Sequence, residues 1–391
     1  MMTVPGHESR PILCIVGARP NFMKMAPILR ALGAQAGAPK ALLVHTGQHY
    51  DAAMSDQLFQ DLALPNPDVN LEVGSASHAV QTAEVMRRFE PVVDAHKPSC
   101  VVVVGDVNST IACALVAAKK QVPVVHVEAG LRSFDRAMPE EINRILTDQI
   151  SDVLYTTGET ALGNLTREGI GADRVHFVGN VMIDSLLSSR ARAIPVAQTL
   201  SKGNIDPSLF GKCKGYGVVT LHRPSNVDDV GALRAAIGTL VEVSRRVPLI
   251  WPLHPRTRAN IERFGLTSAL ASARIACLPP QGYLEMLGLM DGALLVLTDS
   301  GGIQEETTAL AVPCLTMRDN TERPITIDEG SNTLVGADRV LILRLVDEIL
   351  RAGGKGGRVP KFWDGRASER IAAHLVAWLA EHKARDARRR P

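Results

Sequence analysis

The 391-residue chain has no stretch of about 18 uninterrupted apolar residues, so a helical membrane span is not expected. Residues 1–10 are polar and lack the apolar core of a secretory signal. The six cysteines, at positions 14, 100, 113, 213, 277 and 314, include no Cys-x-x-Cys pair and no His spacing of zinc-site type. Three of them, Cys14, Cys100 and Cys314, sit in apolar strand-like runs, as reduced thiols of a cytoplasmic protein would. His45 and His49 straddle a strand end and a loop without a third ligand, so no metal is expected. An excess of one charge is also missing. Lys and Arg number 43 against 41 Asp and Glu, a net charge of +2, which argues against a nucleic-acid binder. Only residues 383–390 are markedly basic, and they read as a solvated, fraying C-terminus. The turn Gly17-Ala18-Arg19-Pro20-Asn21-Phe22 is not a Gly-x-Gly-x-x-Gly fingerprint, and no Tyr-x-x-x-Lys occurs; a dinucleotide cofactor is not expected.

What is present is an ordinary globular mix, 46% hydrophobic and 21% charged, in a length that fits two domains. Short apolar runs at 12–16, 41–46, 100–105 and 122–127 alternate with helical patterns at 23–32, 54–62, 109–119 and 140–150. Such runs predict buried parallel strands joined by helices. A second set of strands is predicted at 217–221, 249–252, 274–278, 293–298 and 312–317, with helices at 228–246 and 283–291. Residues 188–215 read as a helix plus loop joining the halves. The predicted architecture is α/β, two Rossmann-like domains facing a cleft: residues 1–182 and 183–366, with a last helix from 367 to about 380 and the segment 367–391 packing back on the first domain.

Ligands of such sheets lie beyond the carboxyl ends of the strands, so the residues there are the candidates. In Thr298-Asp299-Ser300-Gly301-Gly302-Ile303-Gln304-Glu305-Glu306 a strand ends and a helix begins. The successive N–H groups of such a turn suit a diphosphate, and Glu306 is placed to accept from ribose hydroxyls. A tight turn with Ser300 as N-cap accounts for the same residues equally well. Arg19 and Lys24 bracket a helix start, where cations make best sense with an anion between them. Asp106, Glu128 and the pair Glu140-Glu141 follow strand ends in the first half, with Arg132 and Arg144 as candidate partners. Asp106 could equally be a helix cap, and Glu140-Glu141 a favourable helix start behind Pro139. Convergent carboxylates are what proton transfer on a sugar ring needs. His222 stands at a strand end of the second half, and His254, ranked lower, at the next equivalent one.

Taken together these residues are similar to the non-hydrolysing UDP-N-acetylglucosamine 2-epimerases. The similarity runs nearly end to end and is most specific at 126–132, 297–306 and 319–324. It implies a GT-B fold, a homodimer, a UDP-sugar substrate, a place in polysaccharide biosynthesis, and interconversion of UDP-GlcNAc and UDP-ManNAc through a 2-acetamidoglucal, without NAD or metal. By resemblance, Asp106, Glu128, Glu140 and His222 match catalytic positions. Arg19, Lys24, Ser300, Gly301, Gly302, Glu306 and Arg323 match positions near the nucleotide, and Arg144 is counted with them as substrate-binding.

The chain departs from the family pattern in places. Arg-Pro-Glu is Arg19-Pro20-Asn21 here, and His-Arg-Arg-Glu is His222-Arg223-Pro224-Ser225. Gln48 and Arg223 fit an allosteric site for a second substrate molecule, but Asp51 replaces a glutamine often found there, which weighs against activation by substrate. The same departures leave room for another N-acetylated or uronic UDP-sugar. A hydrolysing epimerase, a GT-B glycosyltransferase and a non-catalytic UDP-sugar sensor are the competing readings.

Overall fold

The computed structural model describes residues 10–47, 59–211 and 215–389. The chain divides into two compact units, residues 1–185 with 361–391, and residues 186–360. In the first, the strands are β1 Ile12–Val16, β2 Ala41–His45, β3 Val69–Asn70, β4 Cys100–Val104, β5 Val124–Ala129, β6 Val153–Thr156 and β7 Val175–Phe177. They form one parallel sheet in the order β3-β2-β1-β4-β5-β6-β7. Every residue of β1, β4 and β5 is buried, because helices cover both faces; that is why these strands read as unbroken apolar runs. The helix Asn108–Lys119 lies close against the sheet through Ala112, Cys113, Ala114 and Ala117, all at 0% exposure. Leu13, Ile15, Val101, Val103, Val85 and Phe89 fill the core beneath it.

The second unit repeats the plan with β8 Gly217–Thr220, β9 Leu249–Pro252, β10 Ile275–Leu278, β11 Leu295–Thr298, β12 Cys314–Thr316 and β13 Asn332–Leu334. Their order is β10-β9-β8-β11-β12-β13, again all parallel. Trp251, Val219, Leu240 and Leu297 anchor its largest core. In both sheets the strand order reverses once, between β1 and β4 and between β8 and β11. At such switch points the loops part and leave a crevice.

Several elements differ from their predicted form. β3, β6, β7 and β13 are additional short strands; β7 is only half-buried and β13 starts on the polar Asn332, so neither carries an apolar run. The predicted helix at 228–246 is Val230–Ser244, whose start Asp229 caps by accepting from Ala232 N at 2.9 Å, and a separate short helix, Pro224–Val227, precedes it. Residues 188–215 hold the end of the helix Val181–Arg190 and a further helix, Val196–Lys202. The last helix, Ala367–Arg389, runs through most of the basic tail rather than fraying, since 381–389 is rich in Ala, Glu, Lys and Arg, all good helix formers. That helix packs on the helix Arg19–Ala34. Cys14, Cys100, Cys113 and Cys314 are buried free thiols, and burial pushes the Cys314 thiol up to about 11. Among the described residues no helix is long and apolar enough to cross a membrane.

Candidate active site

At the first switch point, Asn21 ties β1 to β4. Its Oδ1 accepts from Gly17 N at 3.2 Å and Ala18 N at 2.9 Å, while its Nδ2 donates to Val104 O at 2.9 Å. A glutamate there could accept but not donate, so Asn21 suits this turn by having both functions. Arg19, half-buried, is the first residue of the helix Arg19–Ala34. Lys24 is 4% exposed, and its Nζ lies 2.5 Å from Glu128 Oε2. Its charge is therefore balanced inside the unit by a carboxylate, where the sequence alone pointed to a docked anion or a solvated cation. A Cβ on Gly105, which has φ +67°, would stand 3.1 Å from Lys24 Nζ.

Glu128 is itself unusual. It is 3% exposed, has φ +73°, and sits where the β5–β6 register shifts between Val127 and Ala129. Left-handed backbone on a non-glycine residue persists only where surroundings impose it, and such positions concentrate at functional sites. Asp106 follows β4, and its Oδ2 is 2.5 Å from Arg144 Nη2; Arg144 Nη1 also donates to Glu141 Oε2 at 3.0 Å. The acidic pair divides sharply. Glu141 is 1% exposed and accepts from Ser133 N, Ser133 Oγ and Phe134 N, each at 2.9 Å. Glu140, half-buried beside it, makes no hydrogen bond or ion pair among the described residues.

Arg132 does not serve Asp106 or Glu128. It pairs with Asp148 at 2.7 Å and Glu168 at 2.6 Å. Asp148 in turn accepts from Gly130 N at 3.1 Å and lies 2.6 Å from His126 Nδ1, while His126 Nε2 donates to Gly105 O at 2.8 Å. This buried chain ties the end of β5, which carries Glu128, to Gly105, next to Asp106. Sequence reasoning missed His126 and Asp148; the hint was a polar Thr147-Asp148 on the face of the helix Pro139–Ile150 that should be apolar.

At the second switch point, Thr220 and Thr298 share a hydroxyl–hydroxyl bond of 2.6 Å, and Ser300 N donates to Thr298 Oγ1 at 2.9 Å. Ser300 is the N-cap residue of the helix Gly301–Leu310, but its side chain makes no capping hydrogen bond. A Cβ on Gly301 would lie 2.5 Å from Arg323 Nη1 and 2.8 Å from Glu322 Oε1; the glycine admits that pair against the helix start. Gly302 is the second residue of the same helix, and Glu306, 4% exposed, lies one turn on. Arg323 bonds Glu305 at 3.0 Å and Glu322 at 2.5 Å, and Arg318 reaches Glu322 at 3.0 Å. Burial would push the Glu322 carboxyl up, but Arg323 and Arg318 hold it well below the usual range.

His222 lies beyond β8 with Nδ1 3.0 Å from Asp299 Oδ1. Asp299 is 0% exposed and was not singled out from the sequence, although it lies in the quoted motif. His254 caps the helix Pro255–Arg263 by accepting from Arg256 N at 3.2 Å, a structural task. Gln48, His49 and Asp51 lie outside the described residues. Among the described residues no three His, Cys, Asp or Glu side chains are grouped to hold a metal ion.

A family model described as UDP-N-acetylglucosamine 2-epimerase matches residues 34–376. The chain is 41% identical over 365 residues to a UDP-N-acetylglucosamine 2-epimerase of Methanococcus maripaludis, covering 93% of this chain and 97% of the relative. It is 42% identical over 372 residues to the UDP-2,3-diacetamido-2,3-dideoxy-D-glucuronate 2-epimerase of Pseudomonas aeruginosa, covering 93% and 99%. Its fold superposes with TM-score 0.81 on the crystal structure of the Methanocaldococcus jannaschii UDP-GlcNAc 2-epimerase in complex with UDP-GlcNAc and UDP, at 40% identity and covering 94% and 99% of the two chains. With α/β units of GT-B type and a match across most of its length, the chain belongs to the UDP-N-acetylglucosamine 2-epimerase family.

Proposed function

We propose that the protein is a non-hydrolysing epimerase that interconverts UDP-GlcNAc and UDP-ManNAc. The observation that carries this reading is Glu128, a buried carboxylate held at φ +73° against the ammonium of Lys24, beside the strand end bearing Asp106. The proton at sugar C2 is not next to a carbonyl, so direct deprotonation is too costly. Elimination avoids that cost. A carboxylate takes the C2 proton while the C1–O bond breaks, leaving a 2-acetamidoglucal and UDP. Re-addition of UDP to C1, with a proton delivered to the opposite face of C2, completes the inversion. In this reading Asp106, Glu128 and Glu140 supply the acid–base chemistry. The helix start at Ser300-Gly301-Gly302, with Arg323 and Glu306, binds the nucleotide diphosphate, and His222 stabilises the departing UDP. The resemblance also carries a cytoplasmic homodimer, which sedimentation of the purified protein would check for subunit number.

A second substrate is favoured by one observation: the 42% identity to the diacetamido-glucuronate epimerase of P. aeruginosa equals that to the UDP-N-acetylglucosamine 2-epimerase of Methanocaldococcus jannaschii. Incubation with each UDP-sugar in turn, followed by ion-exchange separation of products, decides between them. Conversion of UDP-GlcNAc without release of UDP supports the first reading. Conversion of only the diacetamido-uronate moves the substrate to the second, and free ManNAc with UDP overturns the non-hydrolysing mechanism.

A further inference from the structure

β8 and β11 pair at the switch point of the second sheet, with Thr220 opposite Thr298. His222 and Asp299 follow directly on these two strand ends. Asp299 is fully buried and receives donors from several sides: His222 N at 3.0 and 3.1 Å, Arg223 N at 2.9 Å and Asn226 Nδ2 at 3.1 Å. His222 Nδ1 stands 3.0 Å from Oδ1. Burial would push this carboxyl up, but the bond and charge of His222, with Asn226 and the Arg223 N–H, hold it below the usual carboxylate range. An ionised carboxylate only accepts hydrogen bonds. The hydrogen between Asp299 and His222 therefore belongs to Nδ1.

We propose that Asp299 is a positioning residue for the reaction: it fixes His222 as the Nδ1–H tautomer and reserves Nε2 for the diphosphate of the departing nucleotide. The His222 side chain is 37% exposed, and its Nε2 has no hydrogen bond among the described residues. The other ring against the imidazole is His254, whose centroid is 5.5 Å away at an interplanar angle of 33°, and the next residue, Arg223, turns its guanidinium toward Glu322. Arg256, beyond them, is neutralised by its ion pair with Asp228. Neither neighbour offers the imidazole an acceptor that competes with Asp299. When protonated, Nε2 donates to a diphosphate oxygen as the C1–O bond breaks and its electron pair passes to UDP. The C2 proton goes to a carboxylate, so His222 needs no net proton transfer. The role rests on the epimerase reading of His222; the tautomer does not.

The test is long-range ¹H–¹⁵N NMR of the histidine rings in the whole protein, with His222 assigned by loss of its signals in His222→Gln. Wild type should show His222 protonated on Nδ1 with Nε2 unprotonated when neutral. Asp299→Asn replaces one acceptor oxygen with an N–H₂ donor and should shift His222 toward the Nε2–H tautomer. Its kcat should fall about 100-fold or more, with KM and UDP affinity within a few-fold of wild type. A neutral wild-type His222 that carries its hydrogen on Nε2 and not on Nδ1 overturns the proposal, as does an Asp299→Asn enzyme with near-normal kcat. If Asp299→Asn does not fold, the wild-type spectrum alone decides. If wild type turns over no UDP-sugar, the epimerase reading fails, and the spectrum still decides the pairing.

Discussion

Lys24 Nζ lies 2.5 Å from Glu128 Oε2, with the two side chains 5% and 1% exposed. Neither charge reaches water, and the ammonium of Lys24 is balanced by this carboxylate. Breaking such a pair from one side leaves an uncompensated charge, whereas replacing both can be close to neutral. Lys24→Met should destabilise the first unit by about 3–5 kcal/mol, measured by denaturant unfolding. Lys24→Met with Glu128→Gln should recover a good part of that loss. A single variant within about 1 kcal/mol of wild type would contradict the pairing.

Glu140 and Glu141 are neighbours with opposite fates. Glu141→Gln disturbs Arg144, Ser133 and Phe134 together and should cost about 2–3 kcal/mol of stability. Glu140→Gln should leave the melting temperature unchanged yet lower turnover about 100-fold or more, as removal of a general acid–base group does. Thermal melts and rate assays on the two variants together make the comparison; a Glu140→Gln enzyme of normal rate would remove Glu140 from the mechanism.

Gly301→Ala should weaken UDP binding at least about tenfold, or roughly 1.4 kcal/mol. The added methyl meets Arg323 Nη1 at 2.5 Å and must displace it from the helix start. Alanine is otherwise the better helix former, so a gain in binding or no change by calorimetry would show that Arg323 does not set this end of the helix.

Stability should fall in mild acid through the C-terminal helix. His374 on that helix stands 3.8 Å, centroid to centroid, from His176 of β7, and its Nδ1 bonds Tyr155 Oη at 2.8 Å. Burial lowers both imidazoles below the ordinary value, and His374 lowers His176 further. The unfolded chain therefore binds more protons just below pH about 6.5, so their contribution is complete above that pH and is lost as pH falls through the lowered values. Denaturant midpoints between pH 7.5 and 5 should decline in wild type and decline less in His374→Gln. Equal slopes would exclude the pair as the cause.

The doubly buried strands were legible in the sequence because burial on both faces leaves an uninterrupted apolar run, as in Cys100–Val104. The strand-end candidates followed from that placement. Their partners did not. Arg132 lies near Glu128 in sequence but bonds Asp148 and Glu168, 16 and 36 residues on. Asp299 meets His222 across 77 residues, and Asn21 reaches Val104 across 83. Such contacts depend on which strands become neighbours, a property of topology that local periodicity does not carry. β13 was missed for a related reason: Asn332 is buried there because Thr316 Oγ1 donates to its Oδ1 at 2.7 Å and its Nδ2 reaches Gln304 at 3.2 Å.

The most direct measurement is NMR of the purified protein with UDP-GlcNAc in deuterated buffer, with nothing else added. The account predicts UDP-ManNAc carrying deuterium at C2, with deuterium also entering the remaining UDP-GlcNAc. Epimerised product that keeps its original hydrogen at C2, or free ManNAc appearing with UDP, would contradict it.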